Sequence, residues 1–536
     1  MEKIKPYAFL FLAGILYTLG FPNIFNVYIP IMPIIGTAII TYFIFNTDST
    51  KKQIIYYLFY NSVINLISFY WITNTLQEFG NLPFFVAATM NALFALILNP
   101  QYFVLIMVLK FLKKSQPKFQ ELYFKHGIFS LILAIIFTSL EYFVPQQFPV
   151  MLGQPWIIYS EYLGAASFLG LPIFSFFSYL LAYEFIRIVK IKRTSFLNLI
   201  SIIIFIFVNP FLVDKKIVET TEFNVRLVQA NISNFLKVDS EKGGYASVSE
   251  VLDRYKELSI KPFELESKNL DLIVWPETAY PYPIRTNKKD IKESIIPSVF
   301  SKIVQKTNAS MLIGGYDHFK DNDDGTYFKT EYNAALQVNP QGQLVNSYHK
   351  QVLIPFGETL PLGPLNKWAS KNLPEMAFFE EGTKYPLFKT HSGVQFISSI
   401  CYEILRPEFV RSYLNKSTQR PHLMINLTND SWYGNTVEPE QHLFLARWRS
   451  IEFNLPILRS TNTGISTYIN QNGKEIKRLE YGTTGNLDLS LDLQKNVSEK
   501  DSTFYQNFGF WGILPFWLLF FIFHVFLLKL KNDKIN

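Results

Sequence analysis

The chain has 536 residues, 49% of them hydrophobic and 17% aromatic, with a single cysteine. Charged residues are only 17%, against roughly 25% in an ordinary soluble domain, which excludes a wholly water-soluble fold. The formal net charge of +7 falls largely in short loops beside apolar runs, so it is a topology signal and weak evidence for a nucleic-acid partner.

In chain order, apolar stretches lie near 7–21, 27–46, 53–73, 82–112, 127–146, 163–188 and 195–213. Each is near the roughly 20 residues a helix needs to cross a bilayer, and an eighth lies at 507–530. The first follows the basic start Met1–Lys5; no small-residue cleavage site comes after it and further spans do, so it is read as retained. The loops at 47–52, 110–126 and 188–194 carry Lys51 and Lys52, then Lys110, Lys113, Lys114, Lys118 and Lys125, then Lys190, Lys192 and Arg193. The opposite loops, around 22–26, 74–81 and 147–162, carry no Lys or Arg, and the tail holds Lys529, Lys531 and Lys534. The positive-inside rule then places both termini in the cytoplasm. The expectation is a transmembrane region at 1–213 with seven helices, a globular domain at 214–505 on the outer face, and a closing helix with a cytoplasmic tail at 506–536. In a two-membrane bacterium that face is periplasmic.

Within the globular domain, strands are predicted at Val225–Ala230, Leu272–Trp275, Met311–Gly314, Ala334–Val338, Val394–Ile400, Leu423–Leu427, Ile457–Arg459 and Thr467–Ile469. Helical patterns lie near 249–266, 291–307, 405–415 and 438–454, and Asn339–Gly342 and Asn470–Gly473 read as hairpin turns. Apolar strands alternating with helices give an α/β fold whose sheet is covered on both faces. A four-layer α-β-β-α sandwich and a single doubly wound sheet both satisfy the pattern.

Cys401 ends the apolar run Phe396–Ile400. A lone cysteine forms no internal disulfide, so it is either an inert core residue or a nucleophile. Two other segments supply what a thiol needs and favour the nucleophile. Glu277 follows the strand Leu272–Trp275 and Pro276, where a partly desolvated carboxylate can serve as general base. Lys350 precedes the apolar run Val352–Phe356, where its ammonium can stabilise an oxyanion. The backbone N–H of Tyr402 is a natural second donor. Glu358, in Pro-Phe-Gly-Glu, and Glu403 are the further acids, each able to orient Lys350, to relay a proton or simply to form a structural ion pair. The seven histidines show no metal-ligand spacing and one cysteine builds no zinc site, so no metal and no cofactor are expected. The pair Gly314-Gly315 reads as a strand-end turn.

With Trp-Pro-Glu277, His-Lys350, Pro-Phe-Gly-Glu358, Cys401-Tyr-Glu403 and Asn429-Asp-Ser-Trp-Tyr-Gly434 in that order, the segment 224–490 resembles the carbon–nitrogen hydrolase (nitrilase) superfamily. That resemblance implies an α-β-β-α sandwich with a Glu-Lys-Cys triad of Glu277, Lys350 and Cys401. Eight spans around such a domain further resemble the apolipoprotein N-acyltransferase family of the bacterial inner membrane. The resemblance implies acyl transfer from a phospholipid, through a cysteine thioester, to the amine of a diacylglyceryl-cysteine apolipoprotein, with Glu358, Tyr402 and Glu403 as supporting positions. One departure is Val238, where that family usually has Trp. A membrane-anchored amidase or nitrilase, an acyltransferase using a polyprenol-sugar acceptor, and a non-catalytic receptor or transport component are the rival readings. The segment Leu373–Phe379 reads either as a lid dipping into lipid or as ordinary core.

Overall fold

The computed structural model describes residues 5–78, 80, 82–115, 127–146, 148–213, 219–265, 268–287, 290–318, 331–355, 357–360, 363, 366 and 379–533. The chain divides into a helical unit, Met1–Asp214 with Thr436–Glu452 and Thr503–Asn536, and an α/β unit, Lys215–Asn435 with Phe453–Ser502. The helix Glu438–Phe453 therefore lies almost wholly in the helical unit, although its sequence position is deep inside 214–505.

The helical unit begins with α1 (Lys5–Thr18), α2 (Ile31–Phe45) and α3 (Thr50–Ser68). Ser49 caps α3 by accepting from the Lys52 amide. A short α4 (Trp71–Glu78) takes up part of the stretch predicted as a loop. Where the sequence predicts one span over 82–112, the chain forms α5 (Phe84–Phe94) and α6 (Pro100–Ser115). Asn99 takes a φ of +46° and Pro100 has no N–H to continue the ladder, so the apolar run breaks there. Then come α7 (Gly127–Phe143), α8 (Ala166–Ile191) and α9 (Phe196–Val208). Among the described residues two helices are long and apolar enough to cross a membrane, Ala166–Ile191 and Phe504–Phe526; other apolar helices, such as α2 and α7, are shorter.

Two devices hold the long helices. Gly170 sits in α8 at φ +68°, and a Cβ there would lie 2.3 Å from the Tyr505 ring, so only glycine allows that approach. Glu184 of α8 accepts from Arg187 (3.0 Å), Asn198 Nδ2 (2.7 Å) and the Ser195 amide (2.8 Å). His524, on the closing helix Ile513–Asp533, hydrogen-bonds Asn198 Oδ1 at 2.8 Å. A charge inside an apolar helical unit has to be paired, and this pairing ties the last helix to α8 and α9.

The α/β unit holds β1 (Thr220–Gln229), β2 (Leu272–Trp275), β3 (Pro283–Ile284), β4 (Ser310–His318), β5 (Glu331–Val338) and β6 (Leu344–His349). It continues with β7 (Phe388–Lys389), β8 (Gln395–Ile400), β9 (Leu423–Thr428), β10 (Ile457–Thr461), β11 (Ser466–Ile469), β12 (Glu475–Leu479) and β13 (Gly485–Gln494). The first sheet runs β13-β1-β2-β4-β5-β6 with β3 beside β4, and the second runs β12-β11-β10-β9-β8-β7. The centre of each is parallel: β1, β2 and β4 in one, β8, β9 and β10 in the other. The sheets meet through β1 against β10 and β5 against β8. Val251, Tyr255, Phe300 and Ile303, from the helices Tyr245–Ile260 and Ser298–Thr307, form one core with Ile273 and Met311 of the first sheet. Two stacked sheets resolve the fold in favour of the nitrilase-like sandwich over a single doubly wound sheet.

Each predicted strand falls on an observed one, and both hairpin glycines, Gly342 and Gly473, have the positive φ their turns need. The helix predicted over 291–307 begins only at Ser298, because Pro297 interrupts it. The strands β3, β6, β7, β12 and β13 lie outside the predicted ones; of these β12 is polar and largely solvent-facing, so no apolar period marks it.

Arg226 of β1 is almost fully buried opposite Asp488 of β13. Its Nε and Nη2 donate to Asp488 Oδ1 (2.8 Å) and Oδ2 (2.6 Å), and Nη1 donates to the Ser259 and Lys261 carbonyls. Asp488→Ala leaves that guanidinium buried without its counter-charge and is expected to destabilise the α/β unit by about 3–5 kcal/mol. An unchanged denaturant midpoint for this unit would contradict that assignment.

Candidate active site

Four strand ends deliver the site. Pro276 stops β2 and Glu277 follows; Lys350 follows β6; Cys401 follows β8; Asn429 follows β9. Ligand chemistry gathers at such carboxyl ends in α/β sheets because side chains there leave the ladder and face a common crevice. Two residues are turned out of the strand by positive φ, Thr278 at +47° and Cys401 at +52°. For residues carrying a Cβ this conformation costs energy and persists only where the surroundings enforce it. Cys401 thus sits on a sharp bend that leads directly into the 3₁₀ turn Cys401–Leu405.

Lys350 is fully buried. Its Nζ donates to Glu358 Oε1 at 2.7 Å and to Glu277 Oε1 at 3.2 Å. Asn333 Nδ2 donates to the same two oxygens, at 3.2 and 2.8 Å. The other oxygen of each acid takes a backbone N–H: Asn429 on Glu277 Oε2 (3.0 Å) and Ile354 on Glu358 Oε2 (2.9 Å). Burial alone would lower the lysine's pKa, but Glu358 and Glu277 outweigh it and hold the ammonium well above the ordinary range. Burial pushes the Cys401 thiol well above its usual value, and Glu277 adds to this, while Lys350 and a hydrogen bond with Thr428 pull the other way. The resting cysteine is therefore a protonated thiol.

Of the residues singled out in the sequence, Glu277, Lys350, Glu358 and Cys401 come together in one electrostatic cluster. Tyr402 is buried next to Cys401, its ring 5.1 Å from the Arg406 guanidinium. Glu403 faces the strand ends: it accepts from the amides of Gln351 (2.6 Å), Val352 (3.0 Å) and Ile400 (2.8 Å) and from Tyr348 OH (2.7 Å). Burial pushes its carboxyl up to about 7 despite those four donors. It braces the chain after Lys350 to the chain before Cys401. Phe356 of the Pro-Phe-Gly-Glu segment, and residues 373–378 of the segment read as lid or core, lie outside the described residues.

Three residues that the sequence did not mark as functional support the site. Asn333 begins as an unremarkable polar residue before Ala334–Val338, and only the strand pairing brings it to both acids. Asn429 lies in a segment that carried resemblance without a role. Gly314, read as part of a strand-end turn, lies inside β4 instead. A Cβ on Gly314 would stand 2.0 Å from the Pro276 carbonyl and 2.7 Å from Glu277 Cα, so glycine there sets how deeply the Glu277 segment seats.

The family model described as carbon-nitrogen hydrolase matches residues 224–497, and that of the apolipoprotein N-acyltransferase N-terminal domain matches residues 13–183. An apolipoprotein N-acyltransferase of Bdellovibrio bacteriovorus is 29% identical over 465 residues, covering 84% of this chain and 81% of the relative. One from Rhizobium rhizogenes is 30% identical over 292 residues, covering 54% of this chain and 51% of the relative, so the chain spans about half of that protein's length. A crystal structure of a Saccharomyces cerevisiae protein from branch 10 of the nitrilase superfamily aligns at TM-score 0.35 and 19% identity, over 55% of this chain and 97% of that one.

Gly314→Ala is expected to displace Glu277 and lower turnover about 10²-fold, the loss associated with roughly 1 Å of misplacement in a catalytic group, with the circular-dichroism spectrum unchanged. Wild-type turnover in that variant would show that the close approach does not set the position of Glu277.

Proposed function

The chain belongs to the carbon–nitrogen hydrolase family, and from that premise we propose that it is an N-acyltransferase. It moves a fatty acyl chain from a membrane phospholipid, by way of a Cys401 thioester, to the N-terminal amine of a diacylglyceryl-cysteine apolipoprotein. One observation carries the chemistry: a buried ammonium shared between two carboxylates, beside a thiol that burial keeps protonated.

That arrangement defines the steps. Glu277 takes the thiol proton as Cys401 Sγ attacks the ester carbonyl of the phospholipid. The proton moves inside the cluster that Lys350 shares with the two acids, so its total charge is unchanged in a desolvated site. Lys350 and the Tyr402 N–H stabilise the oxyanion. The ester C–O bond breaks, the proton passes from Glu277 to the departing oxygen, and a lysophospholipid leaves. In the second half the acceptor amine attacks the thioester carbonyl and gives its proton to Glu277. The C–S bond then breaks and the proton returns to sulfur. Glu358 is the residue that positions Lys350, and Glu403 is the brace between the two strand ends.

The direction toward lipids is supported by the helical unit, whose segment 13–183 matches the apolipoprotein N-acyltransferase N-terminal model, and by the two long apolar helices. The basic loops described above support a bundle of eight spans in the bacterial inner membrane: seven within 1–213 and one within 506–536. Both termini are then cytoplasmic and 214–505 is periplasmic. Phospholipid and apolipoprotein are the two partners, both held at the bilayer, which a membrane-anchored enzyme meets without extracting either.

Cys401→Ala, Glu277→Gln and Lys350→Ala are each expected to lower phospholipid-dependent N-acylation of a lipopeptide by several orders of magnitude, since oxyanion and nucleophile contributions are each roughly 3–4 kcal/mol or more. Near-normal turnover in any of the three removes that residue from the mechanism. Wild-type enzyme that releases fatty acid to water instead of to the lipopeptide would favour the amidase reading.

A further inference from the structure

Lys237, in the helix Asn234–Glu241, carries an ammonium that the mechanism above does not use. It is only 6% exposed. Its Nζ donates to Glu241 Oε1 (2.7 Å), to the Thr278 carbonyl (2.9 Å) and to Thr278 Oγ1 (2.7 Å). An ammonium has three donors, so these bonds take up all of them. Tyr316 of β4 donates to the same Glu241 Oε1 at 2.6 Å. Burial pushes the Tyr316 hydroxyl well above its ordinary value and Glu241 adds to this, so it stays protonated and donating. The place of the lysine is therefore fixed, with no donor left for a ligand.

The residue it grips is one that resists its own conformation. Thr278 takes φ +47°, and a β-branched side chain stays in the left-handed region only where its surroundings enforce it. Lys237 holds both oxygens of that residue: the bond to the carbonyl fixes the peptide that follows, and the bond to Oγ1 fixes the side-chain rotamer. Two residues on, the Tyr280 amide donates to the Gly314 carbonyl at 3.1 Å, which anchors the segment on β4. On the other side Thr278 is joined directly to Glu277, whose Oε1 meets Lys350 and Asn333 and whose Oε2 meets the Asn429 amide. The φ of Thr278 turns the chain between that anchor and the base, so its relaxation would swing Glu277 away from those partners.

Resting on the acyltransferase reading, we infer that Lys237 is a positioning residue for Glu277: it clamps Thr278 in the left-handed conformation that keeps the base among Lys350, Asn333 and Asn429. Lys237 does not touch the reacting atoms. It acts on the rate at which Glu277 takes a proton, and not on how tightly phospholipid is held. Glu241 supplies the counter-charge that lets the clamp be a buried ammonium, and Tyr316 holds Glu241 in place.

The test reads the rate of acyl-enzyme formation at increasing phospholipid, without acceptor, on the full-length enzyme in detergent. Lys237→Met is expected to lower the maximal rate about 10²-fold, with the half-saturating phospholipid concentration unchanged. Glycine adopts a positive φ without a clamp, so in a Thr278→Gly background the same substitution is expected to cost less than about tenfold. A buried charge that served stability alone would cost the same in both backgrounds. Thr278→Val and Thr278→Ser leave the lysine in place and differ in whether an oxygen is there to accept from it, so they decide the matter if Lys237→Met folds poorly. The valine variant is expected to be about tenfold slower than the serine variant. A wild-type rate in Lys237→Met, an equal loss with and without Thr278→Gly, or equal rates in the valine and serine variants overturns the clamp. Failure of the wild type to form any acyl-enzyme from phospholipid overturns the acyltransferase reading instead.

Discussion

A lysine ammonium with no solvent exposure is tolerable only if its surroundings neutralise it, and around Lys350 the α/β unit meets that demand with two acids at 2.7 and 3.2 Å. Much of the site follows from satisfying those acids in turn. Asn333 bridges the oxygens that face the lysine, and the Asn429 and Ile354 amides take the ones that do not. The same constraint decides the state of the cysteine. In a cluster already holding two carboxylates and one ammonium, a resting thiolate would add an uncompensated charge, so the proton stays on sulfur. In the proposed reaction Glu277 accepts that proton, which leaves the total charge of the cluster alone.

The two sheets make this possible by directing parallel strand ends to one place. Glu277 comes from the first sheet and Cys401 and Asn429 from the second, so their mutual position depends on how the sheets stack. One polar tie joins the two sheets and others hold the second sheet together. Glu403 joins the chain beyond β6 to the end of β8. Arg459 of β10 donates to Asn426 of β9 at 2.8 Å and to Asp430 at 2.9 Å, and Asn426 in turn reaches the Ser399 hydroxyl at 3.1 Å, two residues before Cys401. These bonds are buried, where a satisfied polar network rigidifies its surroundings. They account for a cysteine held at φ +52°.

Much of this was legible in the sequence, for identifiable reasons. Leu272–Trp275 and Phe396–Ile400 are short apolar runs that end abruptly in a functional group, and that pattern survives without any knowledge of pairing. Lys350 was legible because it stands just before the apolar run Val352–Phe356. Asn333 was not, because its partners lie 56 and 25 residues away and only the β5–β6 pairing brings them close. Gly314 misled because a Gly-Gly pair signals a turn more often than a close approach of two backbones inside a sheet. In the helical unit, hydropathy located the apolar segments but not their breaks. Asn99 and Pro100 divide one long run into two helices, and the helix Glu438–Phe453 belongs with residues far from it in the chain.

The central claim is that Cys401 carries the acyl chain. Its most direct test is the intact mass of the detergent-solubilised protein after incubation with phospholipid and no acceptor, beside a Cys401→Ser control. The account predicts one added acyl group on the native protein, released by hydroxylamine and mapped to Cys401. No adduct, with the phospholipid left intact, would contradict it.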